Sequence, residues 1–148
     1  MDEIYRKFTK ESEPYNRLYE SYIHMHYMAG VKRYYGEGLL FQNNDNAGTT
    51  LLEALVLASE FYQPLEIRAT QHMLGEAALK GGRLKDAANH YQSAITLGQK
   101  QGSAQLPNFW SGLAKVRIQQ GKRREASKLI EEALAYEHPI EVRNVSMI

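Results

Sequence analysis

The chain of 148 residues is long enough for one domain with its own core, and a composition of 43% hydrophobic and 24% charged residues is not that of a disordered protein. A formal net charge of +1 gives no general attraction for nucleic acids or acidic membranes, so such binding would need a local basic cluster. The sequence has no cysteine, which excludes disulfides, thiolate nucleophiles and cysteine-ligated zinc.

The N-terminal sequence, MDEIYRKFTKESEP, is charged and lacks the apolar run of a signal peptide. No stretch approaches the roughly 18 consecutive apolar residues that suggest a membrane span. We therefore expect a soluble protein of a reducing, cytoplasmic compartment, with no membrane partner.

The first predicted helices precede any repeat. Residues 2–12 form a short amphipathic candidate, and Pro14 suits the first turn of a second helix. We expect the second helix to run through RLYESYIHMHYMAGVKRYYGEGLLF, with a candidate break near Gly30.

Tyrosine is concentrated in this part of the chain. The first 62 residues hold 8 of the 10 tyrosines, namely Tyr5, Tyr15, Tyr19, Tyr22, Tyr27, Tyr34, Tyr35 and Tyr62. Two interpretations remain open: the rings cover the first repeat as an amphipathic cap, or they form a contact surface for a partner or a second copy.

The segment YIHMHY places His24 and His26 two residues apart. On a helix this spacing turns the two side chains about 200° from each other, so they cannot share a metal ion. His72 and Glu76 lie one turn apart on one face, but two ligands do not close a metal site. We predict no metal and no cofactor.

The rest of the chain carries apolar residues at helical spacing, in runs over 49–61, 74–79, 84–97, 110–118 and 126–134. The breaks fall at Gly81-Gly82, Gly121 and Pro139. Each glycine break predicts the end of one helix and the turn into an antiparallel neighbour.

These runs repeat when the chain is shifted by 39 residues. The matched pairs are Leu74 with Leu113, Gly75 with Ala114, Gly82 with Gly121, Ala87 with Ala126, Ala94 with Ala133 and Ile95 with Leu134. Small residues fall on small ones and branched residues on branched ones, as expected where packing constraints recur. A fainter copy upstream uses Gly36, Leu40, Ala47, Leu51, Ala54, Leu55 and Leu57.

The repeated residues resemble the tetratricopeptide repeat family. The last repeat carries the family pattern at Trp110, Leu113, Ala114, Gly121, Ala126, Ile130 and Ala133, and the middle one at Leu74, Gly75, Gly82, Ala87, Tyr91 and Ala94. The resemblance covers residues 68–139 closely and 29–66 more loosely. The period of 39 to 40 residues exceeds the usual value of about 34. In this respect the chain is similar to the long repeats of MalT-like and peptide-sensor domains.

The resemblance implies that the first helix of each pair lines a concave groove that binds peptides or helices. The groove-facing positions that it implies are Arg33, Tyr34, Glu37, Phe41, His72, Met73, Glu76, Lys80, Ser111, Lys115 and Gln119. The lysine and asparagine clamp that some relatives use on a C-terminal carboxylate is not reproduced at these positions, which argues against binding of chaperone tails.

No catalytic residues emerge from the sequence. It has no phosphate-binding glycine loop, nucleophile elbow or paired-carboxylate arrangement, and we predict no enzymatic activity. The run KVRIQQGKRREASK is basic, with Lys115, Arg117, Lys122, Arg123, Arg124 and Lys128. Nucleic-acid contact there is a less favoured alternative, because no aromatic residues are interleaved for stacking.

The C-terminal tail follows Pro139 and reads IEVRNVSMI. Because a solenoid leaves an apolar face open at its end, the tail either folds back as a short cap or the end is closed by self-association or a partner. We favour association. The predicted divisions are an N-terminal helical extension over 1–28, a divergent repeat over 29–66, repeats over 67–106 and 107–139, and the tail over 140–148.

Together these observations predict an all-α, right-handed superhelix of about three antiparallel helix pairs. Its expected role is a protein-interaction module or scaffold subunit that binds a peptide, helix or partner subunit. A regulatory sensor of a small signalling peptide is the alternative.

Overall fold

The computed structural model describes residues 13–137, with side chains described at position 24 and over 26–137; the predicted helix over 2–12 and the tail over 140–148 lie outside the described residues. The helices are α1 Glu13–Phe41, α2 Ala47–Glu60, α3 Pro64–Lys80, α4 Leu84–Gln101, α5 Leu106–Gln119 and α6 Arg123–Glu137. The described part of the chain contains no strand, and none of its helices is long and apolar enough to cross a membrane.

The helices stack as three pairs, each helix packing on the next one along the chain. In addition α1 contacts α3 and α3 contacts α5, whereas α2, α4 and α6 do not contact one another within the described range. The first helices of the pairs therefore lie side by side, and the second helices lie apart. This order along the stack confirms the predicted all-α solenoid of helix pairs.

The turn glycines explain part of the repeat. Gly82 and Gly121, which are equivalent under the 39-residue shift, have φ angles of 74° and 77°. This left-handed conformation is readily accessible only to glycine, so each residue ends the first helix of its pair and lets the chain reverse.

The predicted break near Gly30 is wrong, because α1 is continuous for 29 residues. A Cβ atom at Gly30 would lie 3.3 Å from Oε1 of Glu66 on α3. The missing side chain thus gives Glu66 room beside α1, and packing against α2 and α3 outweighs the weak helix propensity of glycine.

The core shows why small residues recur. Ala87 and Ala94 on α4 are fully buried at positions where neighbouring helices meet. The ring of Tyr91, also fully buried, lies against Gly75 of α3 and Gly112 of α5. A Cβ atom at Gly75 would lie 3.1 Å from the ring, and one at Gly112 would overlap it. The small residues therefore allow close helix packing and also make room for one large aromatic ring.

Candidate partner-binding groove

A concavity of about 430 Å³ lies on the side of the solenoid formed by α1, α3 and α5. Its walls come from the first helix of all three pairs. The lining residues are Glu37, Leu40, Phe41, His72, Met73, Glu76, Lys80, Asn108, Ser111, Gly112 and Lys115. We call this concavity the groove.

The groove brings together eight of the eleven positions implied by the family resemblance: Glu37, Phe41, His72, Met73, Glu76, Lys80, Ser111 and Lys115. Arg33, Tyr34 and Gln119 do not line it. Arg33 lies between α1 and α3, Tyr34 is exposed on α1, and Gln119 is exposed at the end of α5.

Three lining residues were not predicted. Leu40 and Asn108 each lie about one helical turn from a predicted position, so the helical spacing could have found them. Gly112 was missed because its importance depends on the ring of Tyr91, which belongs to another helix.

An arginine joins the first two pairs beside the groove. Arg33 donates hydrogen bonds from Nε to Glu66 Oε2 at 2.6 Å and from Nη1 to Glu37 Oε1 at 2.7 Å. Its guanidinium also lies over the ring of Tyr34, 4.3 Å from the centroid. Burial opposes the charge, but the hydrogen bonds, led by that to Glu66, raise the pKa of Arg33 above its ordinary value. Glu37 and Glu66 are therefore already paired.

The floor of the groove is a second polar cluster. Tyr91 donates a hydrogen bond from its hydroxyl to Glu76 Oε1 at 2.5 Å, and His72 Nε2 lies 3.6 Å from the same oxygen. The interaction with His72, followed by the bond from Tyr91, lowers the pKa of Glu76 to about 2, although partial burial acts in the opposite direction. Burial, and then the bond to Glu76, raise the pKa of Tyr91 well above its usual range.

The histidine of this cluster is held by aromatic contacts. The imidazole of His72 packs at 4.9 Å, centroid to centroid, from the ring of Phe109, and at 6.0 Å from that of Tyr91. Phe109 is fully buried on α5. The orientation of His72 in the groove is thus set by the core beneath it.

Hydrogen-bond donors predominate among the exposed polar side chains of the groove. Lys115, Asn108 and Ser111 are exposed, and their side chains make no hydrogen bond with the described residues. Lys80 donates to the carbonyl oxygen of Leu40 at 3.2 Å and to Asn43 Oδ1 at 3.3 Å, and it remains exposed. Since the carboxylates are engaged, the groove offers its donors to a ligand.

Apolar surface lies beside these donors. Phe41 is 88% exposed at the end of α1, and Met73 is half-buried on α3. Both line the groove. A bound segment can therefore bury apolar side chains at one wall while it receives hydrogen bonds at another.

The basic run predicted from the sequence lies only partly at the groove. The basic run is divided: Lys115 faces the groove, Arg117 pairs with Glu125 at 3.1 Å, and residues 122–124 are exposed at the turn into α6. No group of three or more metal-ligating side chains that could hold an ion occurs among the described residues.

The tyrosines whose side chains are described do not cover the first pair. Tyr27, Tyr34, Tyr35 and Tyr62 are each at least 63% exposed. The side chains of the tyrosines at positions 5, 15, 19 and 22 lie outside the described residues. The cap interpretation therefore does not hold for these four rings.

Comparison with known proteins supports the fold. No protein-family model matches the sequence, and no curated protein matches it either. Among solved structures, the tetratricopeptide repeat domain of FLU from Arabidopsis is similar, with a TM-score of 0.71 and 18% sequence identity over 75% of this chain and 95% of that one. The chain thus has a tetratricopeptide-repeat-like fold. The comparison does not extend to the long-repeat variety.

Proposed function

We propose that the chain is a protein-interaction module that binds a segment of a partner protein in the groove. The observation that carries this proposal is the convergence of α1, α3 and α5 on one concavity, with polar and apolar side chains from all three pairs. The tetratricopeptide-repeat-like fold supports it, because the resemblance implies peptide or helix binding at this face.

The chemistry of the groove favours a partner segment with an acidic residue next to an apolar one. Lys115 and Lys80 offer positive charge, and Asn108 and Ser111 offer further donors. Glu76 keeps its negative charge, because its partner Tyr91 donates only a neutral hydroxyl. Since Glu37 is paired with Arg33, the two lysines still outweigh the single remaining carboxylate for an incoming acidic side chain. An apolar side chain of the partner would pack on Phe41 and Met73.

Binding in this groove needs no covalent step. A carboxylate with a pKa of about 2, such as Glu76, is a weak base and is poorly suited to general-base catalysis near neutral pH. The cluster of Glu76, Tyr91 and His72 is better explained as a rigid floor that positions the groove residues.

Affinity capture from native lysate with mass spectrometry would supply candidate partners, and fluorescent peptides tiled over each candidate would then be titrated. We expect a bound peptide with an acidic residue next to an apolar one, and Lys115→Glu should weaken its binding at least about tenfold. Lys85→Glu is the matched control, since Lys85 is exposed on α4 and does not line the groove. Equal effects of the two variants, or none, would contradict the proposal.

Scaffold and sensor roles differ in the response to the ligand. Within the described residues α1 does not contact α5, so no direct contact fixes the width of the groove between its ends. A sensor would narrow this gap around a small peptide, and small-angle X-ray scattering would show a smaller radius of gyration on saturation. We expect the scaffold result, which is binding without a change in radius.

A further inference from the structure

The outward face of α1 carries an exposed seam of residues at alternating spacings of three and four. Its members are His24, Tyr27, Val31, Tyr34, Gly38 and Phe41. None of them carries a formal charge at pH 7. We call this set the α1 seam.

An uncharged outer face is unusual for a surface helix, which normally turns polar residues to water. The inner face of α1 is also apolar, with Ala29 and Leu39 buried against the stack. Spacing by three and four is the pattern with which one helix packs along another at a shallow angle. The seam therefore has the form of a helix-packing surface that the described chain leaves open.

Gly38 gives an independent indication. A Cβ atom at Gly36 would lie 2.7 Å from the side chain of Leu51, so packing with α2 requires that glycine. A Cβ atom at Gly38 would meet nothing within 4 Å. The described chain thus gives no packing reason for a poor helix former at this position of the seam.

We propose that the α1 seam binds the same seam of a second copy, with the two helices antiparallel about a two-fold axis. In this register Tyr27 of one copy faces Gly38 of the other, so the largest gap receives a ring. A parallel pair would instead place glycine opposite glycine and leave a void. The seam shares Phe41 with the wall of the groove, but its other members do not line the groove, so the dimer can be tested separately from the proposed function.

The remaining pairs fit the same register. His24 faces Phe41, and Val31 faces Tyr34 near the axis. In every facing pair the two residue numbers add up to 65, as an antiparallel arrangement about one two-fold axis requires. Since no member is charged, apposition of two identical seams brings no like charges together.

The flanking charges are already paired within the chain. Lys32 forms a salt bridge with Glu53 on α2 at 2.7 Å. On the other side Arg33 binds Glu37 and Glu66. A second copy is therefore favoured over a charged partner helix, because the charged side chains described on α1 beside the seam are all paired and select no such partner.

The exposed area of the seam reaches the lower limit of what a stable dimer buries. Tyr27, Tyr34 and Phe41 are each about two-thirds or more exposed. Because an aromatic side chain buries about 150–250 Å², these rings with Val31 and the adjacent Tyr35 offer on the order of 600 Å² per copy. Two copies give about 1,200 Å², the lower end of the range for stable interfaces.

The first test is the mass of the full-length protein in solution, measured by light scattering as a function of concentration. We expect a dimer that Val31→Lys converts to a monomer with unchanged helix content. Val56→Lys is the matched control, because Val56 on α2 is 56% exposed and Val31 is 59% exposed. The control should remain a dimer, and loss of the dimer in both variants would overturn the assignment of the seam.

The second test fixes the direction of the helices, and the chain suits it because it has no cysteine. A mixture of Tyr27→Cys and Gly38→Cys proteins should form a disulfide-linked heterodimer on oxidation. Neither variant alone should crosslink, since identical positions would lie about 16 Å apart along the axis, beyond disulfide reach. Crosslinking of Tyr27→Cys with itself would overturn the antiparallel arrangement.

Other occupants of the seam give distinct results. A monomer at concentrations up to about 100 μM overturns the proposal, and lower thermal stability of Val31→Lys in that monomer would indicate cover by the chain itself. A stable one-to-one complex with a different protein, lost in Val31→Lys but kept in Val56→Lys, would also overturn it. Lys115→Glu should leave the dimer intact, which separates this test from that of the groove.

Discussion

The hydroxyl of Tyr91 donates a hydrogen bond of 2.5 Å to Oε1 of Glu76 and so connects the core of the second helix pair to the groove. The ring is fixed between Gly75 and Gly112, which belong to two different first helices. The position of a groove carboxylate is therefore determined by packing beneath it.

Tyr91→Phe tests this connection. The ring remains, but Glu76 loses its shortest hydrogen bond, so we expect the free energy of unfolding to fall by about 1–2 kcal/mol. Urea unfolding followed by circular dichroism would measure it. Tyr62→Phe is the control, because Tyr62 is 88% exposed and should change stability by less than about 0.5 kcal/mol. Equal stability of Tyr91→Phe and the parent would contradict the role of the bond.

The pKa of Glu76 predicts how stability depends on pH. Its value falls from the ordinary 4.5 to about 2 on folding, so the unfolded chain binds the proton more tightly. The stabilisation is complete above pH 4.5 and is lost as the pH falls towards 2. We expect Glu76→Gln to flatten the fall in the free energy of unfolding over this interval.

The matching control for this pH experiment is Glu132→Gln, at an exposed glutamate of α6. It should retain the slope of the parent protein. Were the Glu76→Gln protein to lose stability as steeply as the parent between pH 4.5 and 2, the lowered pKa of Glu76 would be refuted.

The cost of alanine at a glycine should follow the space around that glycine, which is small at Gly75 and Gly112 beside Tyr91 and larger at Gly48. Gly112→Ala places a methyl group into the ring and should destabilise the fold by about 1–3 kcal/mol, while Gly75→Ala, with its nearest contact at 3.1 Å, should cost less. Gly48→Ala meets only Arg83 at 4.0 Å and should be neutral or slightly stabilising. Thermal melts of the three variants give the order, and a reversed order would contradict the packing described for the ring.

The period of the solenoid could be predicted from the sequence because its causes are either local or repeated in every helix pair. Gly82 and Gly121 end helices through their own backbone conformation, and Ala87 and Ala94 repeat because every pair needs a close helix contact. The eight groove positions followed from the family resemblance once the helices were in register.

The features that escaped prediction depend on contacts between distant parts of the chain. The local sequence around Gly30 indicates a break, but packing of α1 against α2 and α3 keeps the helix continuous. Gly112 has no distinguishing local pattern, and only the ring of Tyr91 explains it. The exposure of the α1 seam likewise depends on which face the neighbouring helices cover.

Ala94→Leu tests the packing of the second pair directly. Ala94 is fully buried, and three additional carbon atoms would separate helices that now touch, so we expect a loss of about 1–3 kcal/mol. Ala104→Leu, at an exposed position of the loop before α5, should change stability by less than about 0.5 kcal/mol. Equal melting temperatures for the two variants would contradict the close packing at Ala94.

The basic turn provides the last prediction, because it separates groove binding from binding of polyanions. Lys122, Arg123 and Arg124 are exposed and do not line the groove. Changing all three to glutamine lowers the net charge from +1 to −2 (1 − 3 = −2), and charges beyond about 8 Å are largely screened at physiological salt. Peptide affinity in the groove should therefore change less than about twofold, whereas Lys115→Glu lowers it at least about tenfold.

Titration of the same fluorescent peptide into both proteins makes the comparison, with retention on immobilised heparin as the measure of polyanion binding. If the triple variant lost peptide affinity as fully as Lys115→Glu, the groove would not be the binding surface, and the turn into α6 would take its place.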